Sequence, residues 1–197
     1  MGNLKQTVTE QIEKAVADGV NVLLGINGHS GGICYKNAQE LKSTFGSDSE
    51  QVFYLLDDGK AYITTVPEFN LHKNRVANAI SGSHSLLIDG EVGQFIVDDG
   101  AMSFSPRTFV GVTKEHDKVY FFIVDGGQDE YSNGMRLEDI MLVCQGAGCY
   151  QAMDLEGNEA STIVCKTEGD DFLLMNKPSS GTEIPVANGL QVIVKNN

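Results

Sequence analysis

Three Asp-Gly dipeptides, Asp58-Gly59, Asp89-Gly90 and Asp99-Gly100, punctuate the middle of this 197-residue chain, and they constrain its fold more than any other feature. Asp-Gly suits a two-residue hairpin turn, and the apolar or alternating residues on either side then pair as antiparallel strands. QVFYLL before Asp57 and AYITTV after Lys60 fit that pattern. Residues 85–88 with 92–97 give a second hairpin. Residues 108–113 and 119–124, joined by a turn at 114–117, give a third, which closes on Asp125-Gly126-Gly127.

Two stretches have helical periodicity instead. Val8, Ile12, Ala15 and Val16 share one face before Gly19, which predicts a helix over 7–18. Leu137, Ile140, Met141 and Cys144 predict a second over 137–145, ended by Gly146 and Gly148. Short apolar runs at 20–26, 149–154, 161–165, 172–174 and 190–194 read as further strands. Strands in hairpins plus two main helices give an α+β or mixed α/β fold, with a hairpin-rich mixed β-sheet. With no fixed-period repeat and no linker, one domain spans 1–197: a helical segment at 1–19 and a core at 20–197.

Charge narrows the partners. A net charge of −13 disfavours a nucleic-acid polymer or an anionic membrane, and no basic run offsets it. A phosphate-bearing ligand would need local cations, because remote charges are screened over roughly 8–10 Å. Cys34, Cys144, Cys149 and Cys165 form no CxxC pair and no zinc-finger spacing, so free thiols are expected. The polar opening MGNLKQTVTEQIEKAV lacks an apolar signal core, and no run approaches the roughly 18 apolar residues of a membrane span. A cytoplasmic setting is expected, with a virion or envelope setting as the alternative.

The stretch YQAMDLEGNEASTIV carries the most suggestive chemistry. Asp154 and Glu156 stand two residues apart where a strand enters a loop, and strand alternation would turn both to one face. Paired carboxylates suit acid/base work on an acetal or phosphoester, since one can stay protonated beside an ionised neighbour. A plain turn with solvated acids would also produce this pattern. His29 and His84 are further acid/base candidates because imidazole titrates near neutrality. Asn27 could bond a sugar hydroxyl or hold the turn before Gly28. Tyr35, Tyr131 and Tyr150 are the tyrosines weighed for stacking on a sugar ring, Trp being absent. No His/Glu spacing makes a metal motif, and no Walker or dinucleotide loop is present, so no cofactor is expected and a metal requirement is left open.

A series of landmarks in order resembles the phosphodiester glycosidase family. PRTFVGV (106–112) is similar to its Arg-Thr-x-x-Gly strand, and KVYFFIVDGG to its strand ending in Asp-Gly-Arg. SNGMRLEDIMLVCQGAGCYQAMDLEG is similar to its Ser-x-Gly, helix, Gly-Ala, strand and Asn/Asp-Leu-Asp-Gly passage. MNKPSSG and PVANGLQVIV resemble its Asn-x-Pro-Ser and closing Val-x-Asn-x-Leu segments; LLGINGHSGG and SHSLLIDGEV are looser matches. The resemblance covers about 20–195 and implies a mixed α/β fold that hydrolyses a sugar-1-phosphodiester, its partner a small glycosyl phosphate or phosphodiester. It places Glu156, Asp154 and His29 as catalytic groups. Arg107, Asn27, Gly28, Asp125, Gly157, Asn158 and Ser161 then bind substrate, with Arg107 on the phosphate through its planar fork. The site loop departs from the family's Asp-Gly-Gly-Gly-Ser, reading Glu156-Gly157-Asn158-Glu159-Ala160-Ser161, and Asp-Gly-Arg has become Asp125-Gly126-Gly127. Those departures imply either shifted specificity or a non-catalytic member that binds a sugar phosphate or nucleotide-like ligand, or a structural part of a larger assembly such as a virion. No oligomeric state is implied.

Overall fold

The computed structural model describes residues 5–44, 51–93 and 99–194. Its strands form three sheets, and every described pairing is antiparallel. The first joins β1 (Asn21–Asn27), β12 (Ile163–Lys166), β13 (Phe172–Leu174) and β14 (Gly189–Val194) in the order β13-β12-β1-β14. The second runs β3-β2-β6-β4-β5, from β2 (Gly32–Lys36), β3 (Gln39–Thr44), β4 (Gln51–Leu56), β5 (Ala61–Thr65) and β6 (Val76–Gly82). The third runs β10-β9-β11-β7-β8, from β7 (Ser85–Ile88), β8 (Glu91–Val92), β9 (Arg107–Val112), β10 (Val119–Val124) and β11 (Gln151–Asp154).

Strand alternation builds a shared centre. One face of each sheet supplies it: Ile26 from the first, Phe53, Ile63 and Ile80 from the second, Val110, Val112 and Met153 from the third. The opposite faces each take a helix. Val22 and Val164 pack with Val8 and Ile12 of α1 (Val8–Ala17); Val52, Tyr54 and Leu56 pack with Val66 and Phe69 of α2 (Val66–His72). Phe109 and Ala152 pack with Leu137, Ile140 and Met141 of α4 (Leu137–Gly146). Strands covered on both faces need apolar residues at consecutive positions, which is why QVFYLL and VYFFIV read as continuous runs.

Both expected long helices and the hairpins β4–β5 and β9–β10 are present. The hairpin at Asp89-Gly90 is also present, but its described return strand is only Glu91–Val92; the rest, 94–97, lies outside the described residues. Asp99-Gly100 is a correction: it opens the one-turn helix α3 (Asp99–Met102) instead of a hairpin. α2, the β2–β3 hairpin and β6 escaped the sequence patterns. α2 begins with a Pro in its first turn, a position that tolerates Pro because the first N–H groups have no helical partner. The β2–β3 hairpin turns on Asn37-Ala38, both at positive φ (52° and 62°), where Ala gives no turn signal.

α1 is fixed at its start by a reciprocal cap. Thr7 Oγ1 accepts the Glu10 N–H at 3.1 Å, and Glu10 Oε2 accepts the Thr7 N–H at 2.8 Å. Thr7→Ala is expected to cost about 1 kcal/mol, read as a lower urea midpoint with an unchanged m-value.

Candidate functional site

Three loops meet where β11 ends. Leu155 donates its N–H to Thr108 O at 2.8 Å, Glu156 to Gly28 O at 3.0 Å, and Asn158 to Pro106 O at 2.9 Å. These bonds tie the loop at 156–161 to the Asn27-Gly28-His29 turn on one side and to the entry of β9 on the other. Arg107, Glu156 and Asn27, remote in the chain, therefore share one locus.

Asn27 is what fastens it. The side chain is fully buried, and its Oδ1 accepts from Thr108 Oγ1 at 2.8 Å and from the Thr162 N–H at 3.0 Å. Its Nδ2 donates to Glu156 O at 2.6 Å and to Gly28 O at 3.3 Å. Expected beside a sugar hydroxyl, this amide is instead a clamp inside the protein. Gly28 is required by packing, since a Cβ there would lie 2.2 Å from Asn188 Oδ1 and 2.5 Å from Ile80 Cδ1. Asn188 fixes the next residue at both ends: its Oδ1 accepts the His29 N–H at 2.9 Å and its Nδ2 donates to His29 O at 2.8 Å.

His29 reaches the β6–β7 turn, with Nε2 3.0 Å from Ser83 Oγ. Its Nδ1 accepts the Gly31 N–H at 3.4 Å, which puts the neutral ring's proton on Nε2, pointing at Ser83. In that tautomer His29 does not deprotonate the serine. The neighbouring His84 meets Asp154: the carboxylate's Oδ2 lies 2.9 Å from Nδ1, and Oδ1 accepts the His84 backbone N–H at 2.5 Å. Asp154 is buried, at 6% exposure. Contacts thus run in a ring from Gly28 through His29, Ser83, His84 and Asp154 to Glu156 and back. Sequence weighed His84 but had no spacing that singled it out, because its partner lies 70 positions away.

Glu156 is half-buried, and its carboxylate makes no hydrogen bond or ion pair among the described residues. Gly157 passes close to the β9 entry, where a Cβ would lie 2.8 Å from Pro106 O and 3.8 Å from Arg107 Cδ. Asn158 takes φ 57°, so the left-handed geometry that glycines would allow is kept here by Asn, the side chain that tolerates it well. Ser161, expected to meet phosphate, is buried, and its Oγ has no hydrogen-bond partner among the described residues. Arg107 donates from Nε to Met135 O at 3.1 Å and from Nη2 to Ser103 O at 2.9 Å, so part of its fork holds main chain.

Asp125 sits on an adjoining loop that Asn176 joins to the site. Asn176 Nδ2 donates to Asp125 Oδ1 and to Ser161 O, both at 2.9 Å. Both Asp125 oxygens accept the Lys177 N–H at 3.0 Å, and Oδ2 accepts from Tyr131 at 3.1 Å. That hydrogen bond to an anion holds the Tyr131 phenol above its ordinary pKa. Asp125→Asn is expected to bring the Tyr131 titration down, measurable by ultraviolet difference spectra. Of the three tyrosines weighed, Tyr35 is buried against Glu40 and Tyr150 lies under Lys114, whereas Tyr131 is exposed beside the Lys177 ammonium. Among the described residues no group of three His, Cys, Asp or Glu is placed to hold a metal ion. Cavities of about 360 and 320 Å³ lie elsewhere, beside α1 and beside Tyr54 and Tyr62.

Known proteins share both the sequence pattern and the fold. The family profile described as phosphodiester glycosidase matches residues 8–193. The catalytic domain of zebrafish N-acetylglucosamine-1-phosphodiester alpha-N-acetylglucosaminidase, auto-inhibited by its pro-peptide, superposes with a TM-score of 0.69 at 20% identity. That likeness covers 98% of this chain and 67% of the zebrafish one. A Synechocystis protein gives 0.61 at 12% identity, over 99% of this chain and 55% of its own. A Burkholderia pseudomallei protein gives 0.68 at 11%, over 99% and 69%. At these identities the superpositions establish the fold alone. No curated protein sequence matches the chain.

Proposed function

The chain belongs to the phosphodiester glycosidase family, and from that premise we propose that it hydrolyses the glycosidic bond of a sugar-1-phosphodiester, releasing the sugar from a phosphate carried by a second group. The observation that carries this reading is the junction of the loop at 156–161 with Asn27-Gly28-His29 and Pro106-Arg107. It gathers around one strand end a carboxylate that makes no hydrogen bond or ion pair among the described residues, two imidazoles and a guanidinium.

Physical chemistry assigns the roles. Breaking the C1–O bond builds positive charge on the sugar ring, so an ionised carboxylate near C1 lowers the barrier. Glu156 is that group. Asp154, facing His84 with both oxygens, is not the second free acid. A phosphate monoester has a second pKa near 6 and leaves without a strong acid behind it, so the site's need is for charge stabilisation and for activation of water. Arg107, the first residue of β9, is the phosphate cation in this reading.

A second reading is a binding module that holds a sugar phosphate without turnover. It draws on the guanidinium bonds to Met135 and Ser103, which leave Arg107 fewer donors for phosphate. Incubation with a panel of α-sugar-1-phosphodiesters separates the two. The hydrolase reading expects release of reducing sugar. Ligand-induced thermal stabilisation without release would establish the binding module instead.

A further inference from the structure

We propose that Cys144 and Cys149 are a modification site, at which the chain closes a disulfide by exchange with a low-molecular-weight disulfide and so staples the end of α4 to the approach of β11. The backbone is already shaped for it. Gly148 takes φ 83°, and the chain around it makes the two hydrogen bonds that end a helix on a left-handed residue. The Cys149 N–H donates to Cys144 O and the Gly148 N–H to Gln145 O, both at 3.0 Å. In that motif the residue after the left-handed one commonly packs its side chain on the residue that starts the last turn. Those two residues are here Cys149 and Cys144, and both are buried in one core cluster with Leu137, Met141 and Ala152.

The separation of the pair follows from the same bond. A Cα lies about 2.4 Å from its own carbonyl oxygen, and a nitrogen about 1.5 Å from its Cα. A 3.0 Å contact from Cys149 N to Cys144 O therefore keeps the two Cα atoms within about 6.9 Å, and any bend along that path shortens it. Disulfides span Cα separations of about 4.4–6.8 Å. Cys149 Sγ rests against β9, where a Cβ on Gly111 would lie 2.4 Å from it, so the glycine leaves the sulfur its place. Contact with Cys144 pulls the Cys149 thiol below its ordinary pKa, while that contact and burial push Cys144 up, which makes Cys149 the attacking sulfur. Cys34 on β2 and Cys165 on β12 belong to the two other sheets, and neither is built into this turn.

The step balances with one small disulfide, R–S–S–R, as the oxidant. The Cys149 thiolate attacks one of its sulfurs, the S–S bond breaks, and the departing RS⁻ takes up the proton that Cys149 gave up. Cys144 then attacks Cys149 Sγ in the mixed disulfide and expels the second RS⁻, which takes the Cys144 proton. The protein loses two electrons to the reagent, and one R–S–S–R becomes two R–SH. Both thiols are enclosed in the cap, at 0% and 6% exposure, so the reagent enters as the last turn of α4 opens. That turn is lightly held: Leu142, Gln145 and Gly148 are exposed, and a Cβ on Gly146 or Gly148 would meet no atom within 4 Å. The chain then carries two thiols in a reducing compartment and a staple in an oxidising one.

The test is mass spectrometry of the full chain after incubation with oxidised glutathione, alkylation of the remaining thiols and cleavage at glutamate. Cuts after Glu138 and Glu156 release 139–156, which holds Cys144 and Cys149 and leaves Cys165 outside. The expected fragment is unalkylated and two hydrogens lighter, with Cys34 and Cys165 still alkylated. The oxidised protein should melt roughly 5 °C higher and revert with a dithiol reductant, and Cys149→Ser should show neither change. Alkylated Cys144 and Cys149, glutathione retained at Cys149, or a bridge to Cys34 or Cys165 overturns the proposal. So does an oxidised form that melts lower, because the bridge would then not fit the native cap. The wild-type fragment decides even if Cys149→Ser does not fold, and no outcome depends on the hydrolase reading.

Discussion

Glu156→Gln is expected to lower kcat on a sugar-1-phosphodiester roughly 10³-fold while leaving the unfolding midpoint unchanged. The two halves of that expectation come from one observation: the Glu156 carboxylate makes no hydrogen bond or ion pair among the described residues. The fold draws on its main chain, through the N–H to Gly28 and the carbonyl to Asn27, and an isosteric amide keeps both bonds. Removing the charge withdraws only the field at C1, which matters as the oxocarbenium-like state forms. A partially exposed isosteric change costs stability within about 0.5 kcal/mol. A variant with wild-type kcat would take Glu156 out of the chemistry. One that loses several kcal/mol of stability would show the carboxylate to be structural.

Asn27→Ala is the counterpart, with a large effect on stability. The side chain is at 0% exposure, and its removal strands the Thr108 hydroxyl, the Thr162 N–H and the Glu156 carbonyl. Each buried group left unpaired costs about 1–3 kcal/mol, and relaxation lets part of the sum be recovered, so about 3–5 kcal/mol is expected. For a chain of this length that lowers Tm by roughly 10 °C, and urea titration gives the free energy directly. A loss under 1 kcal/mol would mean the strand ends hold their positions without the clamp. Asn27→Asp separates the contributions, keeping the acceptor for Thr108 and Thr162 while losing the donors to Glu156 and Gly28.

The fold was legible in the sequence where local chemistry decides it. Thr7 and Gly19 bracket α1, and the apolar stripe through Leu137, Ile140, Met141 and Cys144 marks α4, because caps and periodicity act within a few residues. The third hairpin, β9–β10, was legible for the same reason. α2 was not: its short helix depends on Val66 and Phe69 packing against Tyr54 and Val52, contacts that no local pattern announces. Asp99-Gly100 misled because its turn chemistry also serves a helical turn.

The site was legible as a region and less so as roles. Ordered landmarks brought Asn27, Arg107 and Glu156 to one place across more than a hundred positions. What each does there depends on partners set by tertiary structure. Asn27 and Ser161 are polar and loop-adjacent, the marks of ligand-binding residues, yet burial turns one into a clamp and encloses the other. Asp154 looked like one of a pair of free acids until His84 was found against it. Asn158 takes a positive φ of 57°, a geometry that reading the lost glycines alone would have assigned elsewhere.

The most direct measurement is hydrolysis of an α-sugar-1-phosphodiester in water enriched in oxygen-18, followed by mass spectrometry of both products. Water adding to C1 places the label in the released sugar and leaves the phosphate monoester unlabelled, and this is the predicted result. Label in the phosphate would mean that the P–O bond is cut, and an intact diester across a panel of sugars would mean that no bond is cut; either contradicts the account.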